Sequence, residues 1–116
     1  MEKKNEILTL SVEFALMVIE FCETLELNKK FVIAKQLLRS GTSIGANIHE
    51  AQSSESKADF IHKLKIASKE ALETEYWLTL CRQSKNYPST ALLENHLLSI
   101  QKLLNKIIST TKKSMN

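Results

Sequence analysis

The amino-acid sequence predicts an all-α protein, an antiparallel up-down-up-down bundle of four helices. Three observations point there. Apolar residues recur every three to four positions in four successive stretches. The 116 residues include only two Gly and one Pro, too little turn material for an all-β chain. The breaks between stretches are short, so consecutive helices double back on one another. The length fits one domain over residues 1–116 with one core. With 43% hydrophobic and 25% charged residues, the composition excludes disordered, collagen-like and disulfide-rich classes.

The first helix is predicted from Lys4 to Leu25, with Ile7, Leu10, Phe14, Met17, Phe21 and Leu25 on one stripe. A second apolar stripe, Leu8, Val12, Ala15, Ile19 and Cys22, runs beside it. The polar strip is narrow: Glu6, Thr9, Glu13, Glu20 and Glu23, with Leu16 inside it. Such a helix must be covered on more than one side; the bundle covers one, and a subunit interface is the candidate for the other.

After the polar break Leu27-Asn28-Lys29-Lys30, the second helix is predicted from Phe31 to Gln52. Its core face is Ile33, Leu37, Ile44, Ile48 and Ala51. Beside it lie Gln36, Ser40, Ser43, Asn47 and Glu50, a strip of small polar groups suited to a partly buried contact. Gly41 and Gly45 stack on one face, four residues apart. Each costs a helix about 1 kcal/mol against Ala, so the spacing implies close approach by another helix; a break near Gly41 is the alternative.

Ser56 followed by Asp59 approximates a capping box for a third helix from Lys57 to Gln83. Its spine is Phe60, Leu64, Ala67, Ala71, Thr74, Leu78 and Cys81. The alternation of three and four suits antiparallel packing at a shallow angle. His62, Lys65, Lys69 and Tyr76 point elsewhere. Tyr87-Pro88 fits a loop and Ser89 an N-cap. The fourth helix is predicted from Thr90 to Thr111, burying Leu93, Leu97, Ile100, Leu104, Ile107 and Ile108.

The net charge is +3, and it is unevenly spread. Residues 1–30 carry −2, residues 31–55 zero, residues 56–86 +2 and residues 87–116 +3. The positive potential belongs to the second half of the chain. There Lys65, Lys69, Lys102, Lys106, Lys112 and Lys113 form a candidate nucleic-acid-binding surface, because phosphate contacts need only such charges. The alternative is an ordinary solvated face.

A polar network is the other candidate site. Glu70 and Glu73 flank Trp77 on one helix face, and a carboxylate beside apolar residues needs a cation or donors. Arg39, Ser43 and Asn47 are the expected partners across the bundle, with Glu50 on the same strip. Such a network fixes helix register; the functional reading is a polar ligand site.

Enzymatic chemistry is not expected. A di-metal bundle needs Glu-x-x-His on two helices, and Asp59-x-x-His62 is the nearest approach. Neither a metal nor another cofactor is expected. No nucleophile with a base and orienter, and no phosphate-binding glycine loop, is recognisable. His49 and His96 read as surface or packing residues. Cys22 and Cys81 read as reduced core residues. Glu13 and Glu20 interrupt the first apolar run, so neither a signal peptide nor a membrane span is expected, and the cytoplasm is the expected location.

The segment Arg39-Ser40-Gly41-Thr42-Ser43-Ile44-Gly45-Ala46-Asn47-Ile48-His49-Glu50-Ala51 resembles the signature of the 23S rRNA intervening-sequence protein family. So do Asp59-Phe60-Ile61, Lys63-Leu64-Lys65-Ile66-Ala67-Ser68-Lys69-Glu70-Ala71 and Glu73-Thr74-Glu75-Tyr76-Trp77-Leu78. Family members often carry Pro where Gly45 stands and Ala where His49 stands. The first and fourth helices match by pattern and layout. The resemblance implies a left-handed four-helix bundle that assembles as a homopentameric ring. It also implies a link to RNA or other nucleic acid. Related bundles resemble accessory proteins of diversity-generating retroelements. A protein-interaction scaffold with no nucleic-acid role is the alternative.

Overall fold

Helix α1 spans Glu6–Leu27, and the computed structural model describes residues 5–115 of the chain. The expected start at Lys4 lies outside the described residues. Helices α2 (Phe31–Ala51), α3 (Lys57–Gln83) and α4 (Ala91–Lys113) follow, joined by short connections. Among the described residues there is no strand. Each helix packs on the next in sequence, and α4 closes on α1.

The helix ends follow from local chemistry. α1 stops where Lys29 takes a left-handed backbone, φ 62°. Its N–H reaches Glu26 O at 2.9 Å, and the Lys30 N–H reaches Leu25 O at 2.8 Å. This pair of bonds satisfies carbonyls that the helix end would leave open. Glycine is the usual residue for that backbone, since a Cβ there costs about 1–2 kcal/mol. Lys29→Gly is therefore expected to raise stability by about 0.5–1 kcal/mol, read as a higher urea midpoint with an unchanged slope. At the start of α3, Ser56 Oγ accepts from the Asp59 N–H at 3.0 Å, the serine half of the capping box. At α4 the cap is Thr90 rather than Ser89. Thr90 is buried and its hydroxyl donates to Glu94 at 2.6 Å, whereas Ser89 Oγ reaches only the Ala91 N–H, at 3.3 Å.

α2 is one continuous helix through Gly41. A Cβ built on Gly41 would lie 2.9 Å from Val18 Cγ1, and one on Gly45 would lie 3.3 Å from Ser11 Oγ. At both glycines α1 packs close against α2. This contact, with the aligned stripe Ile7, Ser11, Phe14, Val18, Cys22 and Leu25, buries one side of α1 fully.

The core is a single apolar cluster of residues from all four helices. Phe14, Leu37, Ile44, Ile48, Leu64, Leu78, Leu97, Ile100 and Leu104 are fully buried in it. On α3 the buried spine is Ile61, Leu64, Ala67, Ala71, Thr74, Leu78 and Cys81; Phe60 packs at its edge instead. The hydroxyls of Ser40 and Thr74 hydrogen-bond at 2.9 Å inside the α2–α3 contact. Side chains also tie the ends of the bundle. Asn5 donates to Gln52 at 3.0 Å, and Lys57 Nζ donates to Ser114 Oγ at 2.9 Å. Lys30 lies over the Tyr87 ring, 5.0 Å from its centre.

The second stripe of α1 is only partly covered: Cys22 is buried and Leu8 and Ala15 half-buried, while an outer patch that includes Leu16 of the polar strip faces solvent. Val12, Leu16 and Ile19 are exposed, Leu16 by 58%. Beside them the α1–α2 groove is lined by Ala15, Thr42, Gly45, Ala46 and His49. No described helix is long and apolar enough to cross a membrane.

Candidate functional site

The polar network forms on the α2–α3 rim around Arg39. Its guanidinium grips Glu70 in a two-pronged contact, 3.0 and 3.2 Å, and reaches Glu73 at 2.5 Å. Trp77 Nε1 donates to the same Glu73 oxygen at 3.0 Å. Helical spacing of α3 sets this up, since residues 70, 73 and 77 share a face turned to α2. The ring of Tyr76 meets the Trp77 ring edge-on, centres 5.1 Å apart.

Ser43 and Asn47 do not join this network. Ser43 Oγ donates to Arg39 O at 2.6 Å, and Asn47 Nδ2 donates to Ser43 O at 2.9 Å. Short side chains in a helix meet their own backbone before they meet a neighbour. Glu50 pairs with Lys63 at 3.1 Å, away from Arg39. The network is not sealed from water either: the Arg39 side chain is 48% exposed and Glu70 20%.

The electrostatics follow from these bonds. The two carboxylates raise the Arg39 pKa further, so it stays charged at every accessible pH. The Trp77 N–H and then Arg39 hold the Glu73 carboxyl below its ordinary range. A depressed carboxylate contributes stability above its unfolded pKa and loses it as pH falls through the folded value. Glu73→Gln should thus flatten the loss of stability below about pH 4.3. The change should be less than about 1 kcal/mol, because water screens so exposed a pair. Thermal unfolding of both chains across that range checks it.

The six lysines take the opposite course. Lys65, Lys69, Lys102, Lys106, Lys112 and Lys113 are all exposed. Among the described residues none of them is in an ion pair; the acidic partners go to Arg39, Lys63 and Arg82. Lys102 stands on the crest of α4 and lines two grooves. One lies between α3 and α4, about 400 Å³ in volume, with Ser68, Leu72, Leu98, Gln101 and Asn105. The other lies between α1 and α4 and includes Lys106 with Glu6, Leu10, Ser99 and Leu103.

Other chemistry is sparse. Among the described residues no group of three or more His, Cys, Asp or Glu is placed to hold a metal ion. Burial pushes the Cys22 thiol up to about 12 and the Cys81 thiol up to about 11, so neither is a nucleophile near neutral pH. His49 is exposed, with Nδ1 2.9 Å from Gly45 O.

The sequence reading missed the α3–α4 groove. Of its lining only Leu72 stands on the outer stripe of α3 that carries Lys65, Lys69 and Tyr76 at 4-3-4 spacing.

The model of the 23S rRNA-intervening sequence protein family matches residues 3–109, nearly the whole chain and all four helices. The chain belongs to this family. A crystal structure from Bacteroides thetaiotaomicron, of a protein with unknown function from the S23 ribosomal protein family, is similar. It shares 47% identity and a TM-score of 0.84, over 88% of this chain and 97% of that one. No curated protein matches. The 23S rRNA-intervening sequence protein fold thus agrees with the four-helix layout described above.

Proposed function

We propose that this chain is a non-enzymatic, homo-oligomeric bundle that holds RNA or other nucleic acid by its phosphates. Lys65, Lys69, Lys102, Lys106, Lys112 and Lys113 make the contacts. The observation that carries this reading is the exposure of all six lysines with no ion-pair partner among the described residues. A cation already paired must surrender its partner before it meets a phosphate; these do not. The family's connection with rRNA makes RNA the first probe. The bundle runs up-down-up-down with a left-handed turn, works in the cytoplasm, and closes into a pentameric ring through the uncovered face of α1. A ring repeats the basic surface around its axis and strengthens its field.

Light scattering and an RNA titration on one sample test both parts. The expected result is a pentamer whose affinity falls by about four orders of magnitude per tenfold rise in salt, for six phosphate contacts to a single strand. Salt-insensitive binding overturns the mechanism, and a monomer overturns the assembly.

A protein-interaction scaffold is the second reading. The exposed Val12, Leu16 and Ile19 favour it, since an apolar stripe fits a partner helix as well as a second copy. A pentamer silent to RNA at low salt would decide for it.

A further inference from the structure

The groove between α3 and α4 combines three features that bare phosphate binding does not need. Part of its wall is apolar: Leu72 is 62% exposed and Leu98 49%, beside the polar Gln101 and Asn105. Ser68 lines it, and its hydroxyl oxygen lies buried beneath the surface with no hydrogen-bond partner among the described residues. One turn beyond Leu72 on the same stripe of α3 stands Tyr76, an aromatic ring 56% exposed. Trp77 braces that ring edge-on and is itself held by Glu73. Lys65 and Lys69 share the stripe, and Lys102 flanks the groove from α4.

We propose that this groove is a track for a single strand of nucleic acid, with Tyr76 as the platform on which a base stacks. The proposal rests on the reading of the lysines as phosphate contacts and names the class of nucleic acid they hold. A duplex presents phosphates and sugars and keeps its base faces stacked inside. Laid on this groove it would set charged backbone against Leu72, Leu98 and Tyr76. A single strand offers both surfaces. Its phosphates meet Lys65, Lys69 and Lys102, and its bases cover the apolar wall and the tyrosine ring. The base edges carry donors and acceptors that the Asn105 amide can meet. The volume, about 400 Å³, lies within the roughly 300–1,000 Å³ of small-ligand sites. Stacking tolerates any base, so the track is expected to show little sequence preference.

The test uses the full chain, a fluorescein-labelled 20-nucleotide RNA of mixed sequence, and the perfect duplex of that sequence. Anisotropy titrations at one salt concentration are expected to give at least tenfold tighter binding of the single strand. Tyr76→Ala should weaken single-strand binding at least fivefold, leave duplex binding unchanged and leave the salt dependence unchanged. Tyr76→Trp should restore it. Lys102→Gln should instead lower the salt slope by about 0.7. Circular dichroism and light scattering on each variant confirm fold and mass. Equal affinity for duplex and single strand, with Tyr76→Ala silent, overturns the track and leaves the lysine reading standing. No salt-dependent binding of either probe overturns both. A fall in oligomer mass with Tyr76→Ala also overturns the track, because a second copy of the chain then covers the groove.

Discussion

Changing Lys102, Lys106 and Lys113 together to Glu is expected to cut RNA affinity at least a hundredfold at about 0.1 M salt. Each lysine on a phosphate contributes through the counterion it releases. For single strands the exponent is about 0.7 per contact, so three contacts are worth about two orders of magnitude at that salt. The three substitutions also reverse the chain's net charge from +3 to −3, which adds repulsion at longer range. The fold should not suffer, because all three side chains are exposed and none is in an ion pair among the described residues. An anisotropy titration read beside light scattering separates the outcomes. Lost binding at unchanged mass supports the phosphate contacts. Unchanged binding removes these lysines from the interface, and unchanged capture of a protein partner would move the function to a scaffold.

Gly41→Leu is expected to destabilise the bundle by about 3 kcal/mol or more. Even the Cβ would stand 2.9 Å from Val18 Cγ1. Val18 is fully buried and β-branched, so it has little rotamer freedom with which to move aside. Overpacking a close-packed site costs typically about 1–3 kcal/mol, and the rest of a leucine side chain has nowhere to go between α1 and α2. The melting temperature should fall by on the order of 10 °C. Gly45→Ala is the control. Its Cβ meets Ser11 Oγ at 3.3 Å, a tight contact that a small shift relieves. The better helix propensity of alanine, about 1 kcal/mol, offsets that strain. If Gly41→Leu melted like the unsubstituted chain, α1 and α2 would not be in the close contact described.

Much of the fold is legible in the sequence. The 3.6 period is a one-dimensional signal, so Phe14, Leu37, Leu64 and Leu104 could be assigned to the core from spacing alone. The Ser56 cap is readable for the same reason, since Ser56 and Asp59 are three positions apart, and the Gly41–Gly45 spacing marks a close approach without naming Val18 as the neighbour. The caps at Lys29 and Thr90 are not readable in this way. A left-handed lysine has no compositional mark, and Thr90 takes the N-cap position without a side-chain bond to a helix N–H, its hydroxyl going to Glu94 instead. The core spine of α3 drifted from Phe60 to Ile61 because the first turn of that helix lies at the end of the bundle, where either residue could face inward.

For the candidate sites the division runs along the range of each interaction. The sequence alone determined which residues share a helix face: Glu70, Glu73 and Trp77 on one, Lys65, Lys69, Leu72 and Tyr76 on another, Ser43 and Asn47 on a third. Tertiary packing sets which faces meet. It gave Arg39 both carboxylates, sent Glu50 to Lys63, and left Ser43 and Asn47 bonded to their own helix. It also opened a groove between α3 and α4 that Leu72 and Leu98 line without closing. Helical periodicity fixes the angle of a side chain about its own axis. The distance to a neighbouring helix, and hence whether a charge finds a partner or faces water, is set by how the core side chains pack between the axes.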